Sequence, residues 1–495
     1  MEKEMGELTL GIVSLIPFLL IGVGILKTRI GMHWVTLFAM VVTAFLSLLW
    51  KSDISVILVS FVEGAVMALI PIIWVILAAV FTYFISLRTG AMEVIKSFLN
   101  NITESRHTQA VLIAFCFGGF LESVAGFGTA VAIPTGMLVS IGFDPIKAAV
   151  ISLVANSVPV AFGALGLPVI VLSNLVKEPL EELTRYVALQ LIPFSLVIPP
   201  LVVIISNGGI RGAGESLRDA LLIGFIFTLT QTLVAFFIGP ELVAVLGSIV
   251  SLLVVVIINH LRRPNPFMKK ILVPVINYLI LLVLIVLSRV VFPGYLSEHF
   301  VITLSIVDHK IKIDYLTTPG TLLLISSVVG SIFQGANLKT ILSALVETLQ
   351  KIKWSALTIV SIVVLAKVMG NTGMIISTAL LISALSGNVY PLFAPLIGAI
   401  GTFITGSDTS SNILLGALQK ETAKNLGFDP VWISASNTSG ATAGKMISPQ
   451  SIAVASSAVG LQGQEKQIVS ATLPICLAYS LAMGVYVLIV SLLRM

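Results

Sequence analysis

Three charged residues stand alone within long apolar windows of this 495-residue sequence. Glu122, Asp408 and Lys445 are each the only Asp, Glu, Lys or Arg in a window of more than 30 residues. A charge near the centre of a bilayer costs roughly 2.5–3.5 kcal/mol on insertion scales, so such residues mark pathways, relays or ion pairs. Lys445 can meet a carboxylate of a ligand. Asp408 can exchange a proton, because a carboxyl group removed from water can change its protonation near neutral pH. Glu122 is a second candidate for that role, or a partner of Lys445.

Small polar side chains are dense around these charges. One such side chain by itself usually joins two helices through a hydrogen bond. The whole set instead suits a cavity whose walls replace the hydration shell of a small polar ligand. Its members are Ser123, Thr129, Thr405, Ser407, Thr409, Ser410, Asn412, Asn437, Thr438 and Ser439.

The charged residues lie in two matching segments. Residues 118–128 and 401–411 both begin Gly-x-Phe-aliphatic and then turn small and polar, and Gly-Phe-Asp-Pro follows in each half at 142–145 and 427–430. An Asn, a Gly and a Pro then recur with identical spacing: Asn156, Gly163 and Pro168, and Asn437, Gly444 and Pro449. This pattern predicts a duplicated unit, with a first repeat core over 55–206 and a second over 336–460.

The Gly and Pro residues of both segments predict discontinuous helices. Gly permits a tight unwound turn, and Pro ends or kinks a helix. Non-helical backbone survives at membrane depth only where protein or a water-filled cavity satisfies it. Half-helix N-termini present free N–H groups and a positive dipole end, which suits an anionic group. Repeats of this kind are often inverted about an axis in the membrane plane, and we expect inversion here.

The elements that hold these segments must lie in a membrane. Hydrophobic residues make up 57% of the chain, charged residues only 10%, and the mean hydropathy is +1.08. Soluble domains carry about 25% charged residues. Many uncharged stretches reach the roughly 20 residues that a bilayer-spanning helix needs. The sequence therefore predicts an all-α polytopic membrane protein with about 12–14 transmembrane segments, some of them re-entrant, forming a single membrane transport domain over 1–495.

Other classes find little support in the motifs. The formal net charge of +5 is explained by short basic loops, such as the cluster of Arg262, Arg263, Lys269 and Lys270, which are retained on the cytoplasmic side, so we expect no nucleic-acid partner. The two cysteines and five histidines have no metal-ligand spacing, and no phosphate loop, nucleophile elbow or zinc-protease motif occurs. We therefore expect no cofactor, no metal and no enzyme, but transport driven by an ion gradient.

At these residues the sequence resembles the lactate permease family. The resemblance rests on residues 119–128, 156–168, 406–412 and 444–452, which are long and specific motifs, and the run of apolar segments fits over nearly the whole chain. It implies proton-coupled symport of L-lactate, and of D-lactate and glycolate, across the inner (plasma) membrane of a bacterium or archaeon.

A mechanism consistent with the resemblance assigns a role to each candidate residue. The substrate carboxylate is met by Lys445 and by N–H groups near Gly126 and Gly128, or near Thr409, Ser410 and Ser411. The 2-hydroxyl group bonds to Asn156 or Asn437. Asp408, or Glu122, carries the coupled proton. The lipid bilayer is the remaining partner, and the sequence leaves the oligomeric state open.

Three rival functions stay open at this point. A sodium-coupled carrier for carboxylates or other anions is one, because unwound segments rich in Ser, Thr and Asn also bind Na⁺. An integral-membrane enzyme is another, although it needs a catalytic constellation. A channel is the third, although isolated charges in duplicated broken helices favour a carrier.

Overall fold

The computed structural model describes residues 9–27, 31–100, 102–124, 126, 128–262, 272–288, 301–306, 309–461 and 464–494. Three of the basic loop residues singled out above, Arg263, Lys269 and Lys270, lie outside the described residues.

The first part of the chain is a run of helices that leads to the first repeat. A π-helical turn at Ala68–Ile73, in which Ile70 leaves helical geometry, joins the third helix to the fourth. The helices are α1 Ile16–Lys27, α2 Met32–Leu46, α3 Ile54–Met67, α4 Trp74–Arg88 and α5 Ala91–Asn100.

The first repeat follows directly. Its first helix begins at Arg106, passes through a π-helical turn at Leu112–Phe117 and ends at Val124. Its elements are α6 Arg106–Val111, α7 Gly118–Val124, α8 Thr129–Ser140, α9 Pro145–Ala155 and α10 Gly163–Val176.

Long helices and one β-hairpin connect the matched segments of the two repeats. The connecting elements are α11 Leu180–Asn207, α12 Gly214–Phe237, α13 Val243–Arg262, α14 Ile276–Val286, β1 Val301–Ile306, β2 His309–Asp314, α15 Pro319–Phe333, α16 Leu338–Asn371 and α17 Met374–Ser386. The second repeat and the C-terminal helix are α18 Tyr390–Thr405, α19 Asp408–Leu426, α20 Pro430–Lys445, α21 Pro449–Ala458 and α22 Glu465–Leu493.

The predicted class of fold is confirmed. Within the described residues, 10 helices are long and apolar enough to cross a bilayer, and five shorter apolar helices accompany them. The helical pattern did not predict the antiparallel pairing of β1 with β2, in which Val301 faces Asp314 and Ile306 faces His309.

Each repeat opens with a helical hairpin rather than with one interrupted helix. In the first hairpin, formed by α6, α7 and α8, a Cβ built on Gly118 would lie 3.3 Å from the carbonyl oxygen of Ala130, so the arms run side by side. In the second hairpin, formed by α18 and α19, the Tyr390 hydroxyl donates to the Gln419 side chain at 2.6 Å, and Ser411 donates to the carbonyl of Gly398 at 2.9 Å. Gly126 and Gly128 lie at the tip of the first hairpin, and the tip of the second is at 406–407.

The Gly-Phe-Asp-Pro motif makes the same turn in both repeats. Asp144 caps α9 and Asp429 caps α20, each through two backbone N–H groups, and the following Pro occupies the first helical turn. Pro suits that position because its missing N–H would have no partner there. The motif therefore links each hairpin to the helix that follows it.

Both of these following helices are broken near the middle. The first broken helix consists of α9 and α10, and the second of α20 and α21. The first break is the more distorted, since Ala164 and Leu165 adopt left-handed φ values of 44° and 58°. Such a conformation costs roughly 1–2 kcal/mol for a residue with a Cβ atom, and strain of this kind gathers at functional sites.

The repeats exchange contacts reciprocally. The second half of the first broken helix packs on the second hairpin, where Asn412 donates to the carbonyl of Pro168 at 3.1 Å. The second half of the second broken helix packs on the first hairpin, where a Cβ on Gly128 would lie 3.1 Å from the side chain of Val454. Reciprocal contacts are what a two-fold axis between the repeats requires. The inversion of the repeats across the membrane stays a prediction.

A buried ion pair joins α3 to α16 beside this core. The Lys367 ammonium lies 2.6 Å from Glu63, and the two side chains are only 11% and 9% exposed. Asn371 donates to both Glu63 and Ser60. The helices approach closely at this level, since a Cβ on Gly64 would lie 2.7 Å from the Cα atom of Val364.

We expect Lys367→Met to lower the free energy of unfolding by roughly 3–5 kcal/mol, because it leaves Glu63 buried without its cation. Thermal unfolding in detergent measures the loss. Lys96→Met is the matched control, since Lys96 pairs with Glu93 in a more exposed setting and the loss should stay below about 1 kcal/mol. Equal losses in both variants would show that the buried ion pair stabilises the fold no more than the exposed pair does.

Candidate functional site

The two hairpin tips and the two helix breaks meet around one cavity of about 360 Å³. Each of these four places contributes wall residues, among them Gly128, Gly163, Gly406 and Pro449. Helices α2, α4 and α16 close the remaining side. The discontinuous segments of both repeats are thus brought to a single site.

Asp408 is the most unusual group in the cavity wall. It begins α19, is 2% exposed, and neither carboxylate oxygen has a hydrogen-bond partner among the described residues. Native structures leave few buried polar groups without a partner, so such a group calls for an explanation. Lys445 and Glu122 are the charged groups that act on it electrostatically. The described residues therefore do not account for the burial of the Asp408 carboxyl group.

Lys445 provides the cation of the site. It lies in the last turn of α20, is 7% exposed, and donates to the carbonyl oxygen of Gly406 at 2.9 Å. Gly406 follows the last residue of α18, so the ammonium offsets the negative dipole ends of two helices. The predicted alternative, an ion pair between Lys445 and Glu122, is not formed.

Glu122 contacts the first broken helix instead. Its carboxylate accepts a hydrogen bond from the side-chain amide of Asn156 at 3.1 Å, and a Cβ on Gly163 would lie 3.0 Å from its other oxygen. Glu122 is 5% exposed and lines the cavity. Among the two candidate proton carriers, it is the one that is already hydrogen-bonded.

Helix N-termini supply the donors that an anion needs. Gly128 caps α8, and Asp408 and Thr409 open α19. The first N–H groups of a helix have no partner within it. In the first turn of α19 the N–H groups of Ser410 and Ser411 donate to Ser407. The N–H groups of Asp408 and Thr409 are therefore the ones that can donate to an anion.

Three other predicted contacts are placed differently from one another. Gly126 lines the cavity, but its N–H donates to the carbonyl of Leu121. Ser410 also lines the cavity, and its buried side chain follows Thr409 in the first turn of α19. Ser411 does not reach the cavity, because its hydroxyl group is bonded to the carbonyl of Gly398 within the second hairpin.

The two asparagines lie in the packing around the cavity and not in its wall. Asn437 donates to Asn412 at 2.8 Å and accepts from Gln419 at 3.1 Å, which ties α20 to the second hairpin. Asn156 is fully buried and holds Glu122. The structure therefore does not bring either amide to a ligand in the cavity.

Several wall residues were missed by the sequence analysis. His33 and Trp354 stack with ring centroids 4.4 Å apart on the side closed by α2 and α16, and Ile76 and Ile359 line the same side. They lie far in the sequence from the matched segments that carry the charges, and no motif marks them. Gln450 was missed as well, although it stands within a motif of the second repeat.

Gly406 is the point on which this geometry depends, and we expect Gly406→Ala to reduce transport roughly tenfold or more. Its φ is +75°, and an added Cβ would collide with the side chain of Gln450. A displacement of about 1 Å at a site can cost about 100-fold in rate. Gly427→Ala is the matched control, because Gly427 has the same φ of +75° and open space around it. Uptake rates of the two variants are compared at equal amounts of folded protein. A loss in Gly406→Ala alone shows that the contact with Gln450 matters, and an equal loss in both variants shows that only the backbone strain does.

Duplicated hairpins and broken helices surround a buried charged cavity, and ten of the described helices are long and apolar enough to cross a bilayer. Together these features define a multi-pass integral membrane transporter of the cell membrane. The L-lactate permease family matches residues 11–270 and 266–494. The chain belongs to this family. An L-lactate permease of Streptococcus iniae is 39% identical over 75% of this chain and 82% of its own length. The glycolate permease GlcA of Escherichia coli is 31% identical over 99% and 97%.

Among solved structures, the YdaH transporter of Alcanivorax borkumensis aligns with a TM-score of 0.48 at 15% identity, over 87% of each chain.

Proposed function

We propose that this chain is a secondary active transporter that carries out proton-coupled symport of L-lactate and related 2-hydroxy monocarboxylates, including D-lactate and glycolate, across the plasma membrane. The observation that carries the proposal is the buried carboxylate of Asp408, a residue of the cavity wall whose oxygens have no hydrogen-bond partner among the described residues and which lies near a buried lysine. The names of the related lactate and glycolate permeases support the substrate class. The whole chain acts as one transport domain.

The substrate carboxylate binds at the second hairpin in this proposal. Lys445 and the N–H groups of Asp408 and Thr409 are the donors within the same part of the cavity. Hydrogen bonds between charged partners are about twice as strong as neutral ones. A volume of about 360 Å³ suits a small monocarboxylate.

Charge balance supplies the coupling. The empty cavity contains one ammonium group, Lys445, and two carboxyl groups, Asp408 and Glu122. Entry of a monoanion adds one negative charge in a place of low dielectric constant, and uptake of one proton by a carboxyl group restores the former balance. Asp408 is the carboxyl group that takes the proton, since Glu122 is already bonded to Asn156. The carrier then switches between its outward-open and inward-open states only when the charge in the cavity is balanced.

The lysine also favours a proton over sodium as the coupling ion. The Lys445 ammonium lies at the second hairpin tip, where it donates to the carbonyl of Gly406, and its positive charge would repel a Na⁺ ion bound there. A sodium-coupled carboxylate transporter remains the alternative outcome of the test below.

Uptake of labelled L-lactate into proteoliposomes tests the proposal. The vesicles receive an inside-alkaline pH gradient in Na⁺-free buffer, and protein-free vesicles correct for diffusion of the undissociated acid. We expect accumulation above that background, and a protonophore should abolish it. Uptake that requires Na⁺, or no uptake beyond the background, would overturn proton symport.

A further inference from the structure

The polar residues of the cavity are distributed unequally between the two repeats. The spacing of the repeats matches Lys445 with Ala164 and Gln450 with Val169, a fully buried side chain. The second broken helix thus carries both a cation and an amide at places where the first carries only apolar groups. An asymmetric site of this kind suits a ligand with different groups at its two ends.

Gln450 is the side-chain amide that reaches the cavity. It lies in the first turn of α21, is exposed to the cavity and makes no hydrogen bond to any residue that the structure describes. Its side chain packs against Gly406, the residue whose carbonyl accepts from Lys445. Lys445 and Gln450 therefore flank the same residue of the second hairpin tip.

We infer that Gln450 determines specificity by hydrogen bonding to the 2-hydroxyl group of the substrate. This inference rests on the proposed function and names the residue that recognises the 2-hydroxyl group of the acid. In such an acid the hydroxyl group is on the carbon next to the carboxylate. A carboxylate bound to Lys445 brings that hydroxyl group to the neighbouring amide, which offers one acceptor and two donors. The facing wall includes the apolar side chains of Ile76 and Ile359, which receive the alkyl end.

The consequence is a preference for hydroxylated acids. A site that is built to hydrogen-bond a hydroxyl group rejects the analogue without it, because its polar group is then left unpaired. Propionate differs from lactate only by that hydroxyl group and has the same charge. The ratio of kcat/KM for L-lactate to that for propionate therefore reports on Gln450 and not on the binding of the carboxylate.

The test compares this ratio in the wild type and in Gln450→Leu, in proteoliposomes with an imposed pH gradient. We expect the variant to lose about tenfold or more of its lactate uptake and to keep propionate uptake within about threefold, so that the ratio falls. Gln350→Leu is the matched control, because Gln350 is exposed on α16 away from the cavity. Gln450→Met, a second uncharged variant of similar length, replaces the Leu variant if that protein does not fold.

The outcomes separate the inference from the proposed function. An unchanged lactate-to-propionate ratio, or an equal loss of both substrates, overturns the role of Gln450 while lactate transport by the wild type still stands. If the wild type transports neither acid, the proposed function itself fails.

Discussion

Asp408→Asn is expected to abolish accumulation of L-lactate driven by a pH gradient and to leave lactate–lactate exchange in place. Asn has nearly the shape of Asp and can still contact the substrate, but it cannot exchange a proton. Exchange of one loaded state for another needs no release of the proton, whereas net uptake does. Labelled uptake and counterflow in the same vesicles measure the two activities, and net uptake should fall to the level of protein-free vesicles.

The control for this variant is Asp53→Asn. Asp53 is exposed, precedes α3 and forms no capping hydrogen bond with its side chain, so the change should leave both activities near the wild-type level. Uphill uptake that persists in Asp408→Asn would show that Asp408 is not the proton carrier. Glu122→Gln would then be expected to carry the defect instead, since Glu122 is the other carboxyl group of the cavity.

Lys445→Met is expected to raise the KM for lactate by about 10- to 100-fold and to lower the maximal rate. The hydrogen bond of a charged group contributes roughly 1.5–3 kcal/mol, and each 1.4 kcal/mol corresponds to a factor of about ten. Met preserves the length of the side chain while removing its charge and its donors. The carbonyl of Gly406 also loses its partner, which disturbs the second hairpin tip.

The matched control for Lys445 is Lys424→Met on α19. Lys424 forms a partly exposed ion pair with Glu421 at 3.3 Å, outside the cavity, and its loss should change neither KM nor rate appreciably. Initial rates over a range of lactate concentrations separate the two parameters. If Lys445→Met keeps the wild-type KM and lowers only the amount of folded protein, Lys445 has a structural role at the hairpin tip.

The main features of the core were predictable from the residues alone. The Gly-Phe-Asp-Pro turns, the two helix breaks and the isolated charges follow from local chemistry, because Asp caps a helix, Pro opens it and a lone charge in an apolar window needs a polar surrounding. Re-entrant segments were expected, but which of the interrupted segments reverse into hairpins did not follow from the residues alone. A chain break leaves the next direction open, and contacts such as that between Ser411 and Gly398 decide it.

Side-chain partners were the least predictable part. Asn437 looked like a ligand for a hydroxyl group, but its amide is committed to Asn412 and Gln419, both of which lie in the second hairpin. Gln450 stands 13 positions later and is the amide that reaches the cavity. The contrast with Val169 at the matching position was the available signal. The wall from α2 and α16 carried no such signal, since its lining residues, among them His33 and Trp354, belong to no motif.

The most direct measurement follows protons and lactate together. A pH-sensitive dye trapped in proteoliposomes records the lumen when an inward L-lactate gradient is imposed in Na⁺-free buffer, and label in the same vesicles counts the lactate. Proton symport predicts acidification faster than in protein-free vesicles, with protons entering in proportion to the label, and no such excess with Asp408→Asn. Lactate that enters without acidification, or only when Na⁺ is added, would contradict proton coupling at this cavity.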